Sequence, residues 1–187
     1  MADTAQAQRL LSVEEFVRFV ERRPSEEKWE LIDGVALMQA SPIWRHQAIV
    51  RNVMLGLMLA SEDGRAEWEA LPGLGTAVTA IPRNLPIPDV IVRPRREMEG
   101  WITDDAIAVV EVLSPDTRSR DLKRKPELYA SVASMQHYLI IDPKRVSVIL
   151  YGRSGGSWDK PEIKDIARTV ELTAIAVSLR SSASIVG

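Results

Sequence analysis

The sequence predicts an α/β fold built as one domain, and three observations carry that expectation. From Ala106 to Asp142 the order is strand, helix, strand, which predicts a right-handed crossover laying Tyr138–Ile141 parallel to the strand that contains Glu111. Apolar residues recur at helical spacing over 13–20 and 44–60, and form short alternating or continuous runs over 29–38, 87–92 and 146–151. The 187 residues are 45% hydrophobic and 27% charged, enough for a real core, and no repeat, low-complexity tract or linker marks a boundary. Residues 1–187 are therefore expected to form a single domain.

Composition removes several classes of function. With no cysteine, disulfides, thiolate zinc sites and cysteine nucleophiles are excluded, and a reducing cytoplasmic location is compatible. No apolar run approaches the ~18 residues of a membrane span, and residues 1–8 are polar, so a soluble intracellular protein is expected. A net charge of −2 argues against coating nucleic acid by bulk electrostatics. Any nucleic-acid contact must be focal.

Taken in order, Ser12 with Glu15 forms the signature of a capping box, followed by the helical face Val13, Phe16, Val17 and Val20, with Pro24 as the stop. Trp29–Gln39 holds two short apolar segments around Asp33-Gly34, a strong hairpin signal, with Glu30 and Ile32 on one face and Trp29 and Leu31 on the other. After Pro42 a long helix is predicted over about Trp44–Ala60, with His46, Ile49, Val50, Val53, Met54, Leu57 and Met58 on one stripe. The Gly- and Pro-punctuated stretch 66–88 predicts two strands, near Trp68 and over Thr76–Ile81. Ile87–Val92 reads as a strand with Pro88 where a missing N–H is tolerated, 97–105 as a loop, and 106–112 as the buried strand of Glu111. A helix with the apolar face Leu122, Leu128, Tyr129 and Val132 follows, then strands at Tyr138–Pro143, Val146–Tyr151, Thr169–Leu172 and Ile175–Leu179, and a terminal turn of helix over 181–186.

Glu111 is the anomaly in this pattern. An ionised carboxylate inside an apolar strand is disfavoured by several kcal/mol or more unless it is paired, hydrogen-bonded or bound to a metal. Asp89 lies on the preceding strand, and neighbouring strands run about 4.8 Å apart. If both point to one side they can share a hard cation such as Mg²⁺, with the Val112 C=O as a third ligand. Lys125 falls on the inward series Leu122, Lys125, Tyr129, Val132, whereas Lys123 and Arg124 fall outside it. Pro126 disfavours helical geometry at Lys125, which leaves Lys123 as the alternative.

These residues, in order, resemble a known family. Trp29-Glu30-Leu31-Ile32-Asp33-Gly34, His46-Gln47, Pro88-Asp89-Val90, Glu111-Val112-Leu113-Ser114-Pro115, Asp121 with Lys125 and Tyr129, and Tyr138–Pro143 resemble the Uma-two family of restriction-endonuclease-like proteins, in the PD-(D/E)xK superfamily. The resemblance covers about 11–151. It implies an α/β (α+β) restriction-endonuclease-like core, a central mixed β-sheet flanked by helices. It also implies a Mg²⁺-dependent endonuclease acting on DNA, with Mn²⁺ as a substitute and a homodimer as its working form. On this resemblance Asp89, Glu111 and Val112 hold the metal, Lys125 is the catalytic lysine, and Glu30 and His46 join the site. The superfamily's lysine usually stands two residues after the acid, where this chain has Leu113.

Each residue has a plainer reading. Asp89 and Glu111 can be strand-end carboxylates that cap a nearby turn or are salt-bridged to arginine, and Lys125 a snorkelling lysine. Likewise His46 can be a satisfied core histidine and Glu30 the partner of Arg45 or Arg51. The basic run 118–124 can be a solvated face, or contact a phosphate backbone. An inactive nucleic-acid-binding module of the same fold is the alternative function, and His137 is assigned no role.

Overall fold

Ser12 opens the first helix as its sequence predicts. Its Oγ accepts the Glu15 N–H while the Glu15 carboxylate accepts the Ser12 N–H, closing a capping box on α1 (Val13–Val20). The computed structural model describes residues 9–39, 41–61, 66–145, 147–154, 157–159, 162–165 and 169–180. Asp33 and Gly34 both have positive φ, 50° and 81°, which suits a type I′ turn joining β1 (Trp29–Ile32) to β2 (Val35–Met38). Glycine is needed there twice over, since a Cβ on Gly34 would lie 2.8 Å from Leu10 Cβ. Next comes α2 (Trp44–Ser61), which buries Ile49, Val53 and Leu57.

The remaining elements are β3 (Trp68–Pro72), β4 (Gly75–Thr76), β5 (Val90–Pro94), β6 (Ile102–Thr103), β7 (Ala108–Val112), α3 (Arg118–Lys123), α4 (Lys125–Ala130), β8 (His137–Asp142), β9 (Ser147–Ser154), β10 (Ser157–Trp158), β11 (Glu162–Asp165), β12 (Thr169–Leu172) and β13 (Val177–Arg180). The main sheet is mixed, in the order β10-β9-β8-β7-β5-β3, with β11 also pairing β9. Among the described residues only β7 and β8 pair in parallel within it, through Ala108↔His137 to Val112↔Ile141, as the strand-helix-strand order predicts. One face, carrying Val90, Val92, Ala108, Val110, Val112, Leu139 and Ile141, packs with α2 and the β12–β13 hairpin. On the other, Ile91, Val109, Leu113, Tyr138 and Ile140 pack with Leu128, Tyr129 and Val132 and with Ile32 of the hairpin. Alternation assigns Glu111 to this second face, beside α3 and α4.

Several sequence expectations need correction. The strand expected over Thr76–Ile81 shrinks to Gly75–Thr76, because the chain turns right after it, with the Ile81 N–H donating to the Val78 carbonyl. Within the expected loop 97–105, Ile102–Thr103 pairs in parallel with β4. β5 starts at Val90, not Ile87, and continues through Arg93. Met58 is exposed, since about 100° of rotation per residue carries it off the line of Leu57. The single helix after Pro115 is two, broken at Arg124: Pro126 has no N–H for the Leu122 carbonyl, but is tolerated in the first turn of α4. β10 and β11 were not expected, and the helical turn expected over 181–186 lies outside the described residues.

Candidate active site

The site is built where β5 begins and β7 ends. β5 and β7 pair antiparallel, Val90↔Val110 and Val92↔Ala108. Continued outward, this register sets Asp89 opposite Glu111 and Pro88 opposite Val112. Pro88 has no N–H to give the Val112 carbonyl, so backbone pairing ends there. The Asp89 side chain takes over: its Oδ2 accepts the Val112 N–H at 2.8 Å. In an extended strand the C=O of a residue leaves toward the same edge as its N–H, so the Val112 carbonyl faces the Asp89 side. Asp89 Oδ2 also lies 3.2 Å from His46 Nε2, on the first turn of α2.

Behind this mouth lies a buried ionic cluster centred on Lys125. Its Nζ stands 2.7 Å from Glu111 Oε1, 3.0 Å from Glu30 Oε2 and 3.1 Å from Asp121 Oδ1, and the side chain is fully buried. Only the Glu111 contact is aligned as a hydrogen bond; Glu30 Oε2 and both Asp121 oxygens are buried without a hydrogen-bond partner. The Tyr129 hydroxyl donates to the same Glu111 Oε1 at 3.0 Å, and Arg120 Nε donates to Glu30 Oε1 at 3.3 Å. Tyr138 donates to the Asp121 carbonyl at 2.9 Å, fixing α3 to β8.

Three buried carboxylates therefore face one ammonium, with Arg120 at the rim. Burial, helped by the charges of Asp121, Asp89 and Glu30, pushes the Glu111 carboxyl well above the usual range, although Lys125 opposes the shift. For Lys125 burial alone would lower the pKa, but Glu111, Glu30 and Asp121 outweigh it and hold the ammonium charged, well above its ordinary value. Tyr129 is driven up by burial and by Glu111, so it remains a donor. A carboxylate pushed up in this way favours gaining a proton or another cation.

The structure thus brings Glu30, Glu111 and Lys125 into direct contact and places Asp89 and His46 together at the adjoining mouth. Of the two lysines weighed, Lys125 is buried and Lys123 exposed. Glu30 pairs with Lys125 and Arg120 rather than with Arg45 or Arg51, because β1 lies over α3 and α4. Asp121, Arg120 and the Tyr129 hydroxyl join the cluster beyond the expected site set; Asp121 and Tyr129 stand among the residues that carry the family resemblance, and Arg120 lies in the basic run 118–124. Among the described residues no three His, Asp or Glu side chains form a group able to hold a metal ion. Asp89, Glu111 and the Val112 carbonyl nevertheless suit Mg²⁺, which binds through one or two carboxylates and keeps several waters. Glu111 Oε1 is taken by Lys125 and Tyr129, and Oε2 has no hydrogen bond among the described residues.

Comparison with known proteins agrees with this architecture. The Uma2 family, described as "Putative restriction endonuclease", matches over residues 13–183. "Uncharacterized protein slr1290" from Synechocystis sp. is 30% identical over 181 residues, covering 88% of this chain and 90% of that protein. A crystal structure from Anabaena variabilis, described as "a putative nuclease belonging to DUF820", superposes with a TM-score of 0.73 at 20% identity, covering 94% of this chain and 97% of the other. Among the described residues no helix is long and apolar enough to cross a membrane. With the family match spanning nearly its whole length, the chain belongs to the Uma2 family.

Proposed function

We propose that this chain is an endonuclease that hydrolyses phosphodiester bonds of DNA with Mg²⁺, or Mn²⁺ in its place. The observation that supports it most is the convergence of Asp89, Glu111 and Lys125 at the end of β7: Asp89 on the Val112 N–H and Lys125 on Glu111. Asp89, Glu111 and the Val112 carbonyl would hold the cation, which supplies a Lewis acid for a phosphoryl oxygen and a bound water of lowered pKa. Hydrolysis adds water at phosphorus, breaks the bond to the 3′ oxygen and builds negative charge on the phosphoryl oxygens. Lys125 and Arg120 provide fixed positive charge beside that position, in a site where burial strengthens it. His46 orients Asp89, and Glu30 with Asp121 keeps Lys125 charged and in place. Cleavage of both strands calls for two active sites, so a homodimer is part of the proposal.

Incubation of supercoiled plasmid and oligonucleotides with Mg²⁺ or Mn²⁺, against chelator, tests it. The parent should cleave only with metal, and Asp89→Asn should lower the rate by roughly 100-fold or more. Absence of metal-dependent cleavage in every DNA form overturns the proposal. A second reading, a nucleic-acid-binding module without cleavage, is favoured by the way the three buried carboxylates converge on Lys125 instead of on a metal-binding group. It predicts DNA binding with no heat of metal binding that depends on Asp89.

A further inference from the structure

The basic run 118–124, which the sequence offers as a phosphate-contacting segment, is largely neutralised in the fold. Arg118 pairs with Asp142, Arg120 with Glu30 and Arg124 with Asp33. On α2 the situation is reversed. The helix contains no acidic residue, Arg51 donates only to the neighbouring Asn52 Oδ1, and Arg45 has no carboxylate partner among the described residues. Its first turn carries Trp44, 72% exposed, next to Ile43, 69% exposed, whereas Trp29, Trp68, Trp101 and Trp158 are buried or half-buried. Trp44 precedes Ile49 by five residues, about 140° round the helix, so it points away from the core. Arg51, seven residues on from Trp44, returns to the same line. His46, two residues on and about 160° round the helix from Trp44, touches Asp89, so the candidate site lies at the other side of the same helix turn.

We propose that Trp44, flanked by Arg45 and Arg51, is a docking surface for an unpaired base of a DNA strand whose phosphate backbone runs on toward Asp89. The proposal rests on the endonuclease reading and names the feature of the substrate that the site recognises. Charge selects the occupant. A second copy lying antiparallel on this stripe, which runs from Trp44 to Leu59, would bring the two Arg51 side chains together at its midpoint with no acid on either helix to offset them. A polyanion meets the same cations favourably. The exposed indole selects the unpaired state: in a duplex each base face is covered by its neighbour, while a free base offers a π-face for stacking. Passing round α2, ~10 Å in diameter, a strand covers ~16 Å from Trp44 to the Asp89 side, about five nucleotides at ~3.4 Å each.

The test is binding of a fluorescein-labelled single-stranded oligonucleotide and the matching blunt duplex, by anisotropy in chelator so that no cleavage intervenes. The single strand should bind more tightly than the duplex. Trp44→Ala should weaken it by roughly 5- to 160-fold, the effect of losing one base stack of ~1–3 kcal/mol, while Trp44→Phe retains most of the affinity. Replacing Arg45 and Arg51 together by alanine should reduce the salt slope by about 1.4, two phosphates at ~0.7 each. Equal binding by parent and Trp44→Ala overturns the surface while leaving the cleavage assay intact. Loss of binding in Trp44→Ala from a parent that cleaves no DNA keeps the surface and removes the endonuclease. A native mass that halves in Trp44→Ala and Leu59→Ser, with strand affinity unchanged, makes the stripe an interface between copies and overturns the proposal.

Discussion

At the C-terminal end of β5, Arg93 is 2% exposed, yet it is fully accommodated: Nη1 donates to Glu69 at 2.7 Å and to the Arg96 carbonyl at 2.9 Å, and Nε to Asp105 at 3.2 Å. At the opposite end of the sheet Lys125 is equally buried, but it faces three carboxylates, two of them with buried oxygens that have no hydrogen bond. The Arg93 partners keep a route to water, with side chains 29% and 14% exposed. For Asp105 burial alone would raise the pKa, but hydrogen bonds from Thr103, Arg93 and Arg96 outweigh it and hold the carboxyl below its usual range. Glu111 is pushed the other way. One buried cluster is electrostatically satisfied and structural; the other carries a surplus of negative charge, which fits a site that receives a further cation.

The largest expected effect separates the two by stability. Lys125→Met strands three buried carboxylates and should cost about 3–5 kcal/mol in urea unfolding at neutral pH. Arg93→Met should cost less, about 1–3 kcal/mol, because Glu69 and Asp105 can rehydrate. Equal losses would erase the distinction. The pH dependence in metal-free buffer sharpens it. Above the unfolded value near 4.5, the folded chain binds more protons than the unfolded one through Glu111, so its contribution falls as pH rises; Glu111→Gln should flatten that limb. Asp105 acts oppositely: its contribution is present above the unfolded value near 3.8 and is lost as pH falls through its depressed folded value, so Asp105→Asn should flatten the acid limb alone. Interchanged responses would contradict the assignment. The smallest effect is at Tyr129→Phe, which removes one donor to Glu111 and should cost about 1.5 kcal/mol without altering the fold's circular dichroism.

Local chemistry made much of the fold readable. Ser12 and Glu15 announce the first helix, Asp33-Gly34 the hairpin, and 106–142 the parallel crossover, because each is decided by residues close together in sequence. Glu111 and Lys125 were legible for a similar reason: a charge inside an apolar pattern stands out. Arg93 was not, since at the end of an apolar run it looks like a strand terminus, and its burial depends on Glu69 and Asp105, 24 and 12 residues away. Glu30's partner Arg120 was missed because it comes from α3, 90 residues on. The start of β5 at Val90 depends on Asp89 replacing a backbone acceptor, an exchange visible only once β7 lies alongside.

The most direct measurement is calorimetric titration of Mn²⁺ and Mg²⁺ into the parent, Asp89→Asn and Asp105→Asn proteins. The parent should bind one ion per chain, with the site retained in Asp105→Asn and lost in Asp89→Asn. Equal heats in parent and Asp89→Asn, or no heat in any of the three, would contradict it.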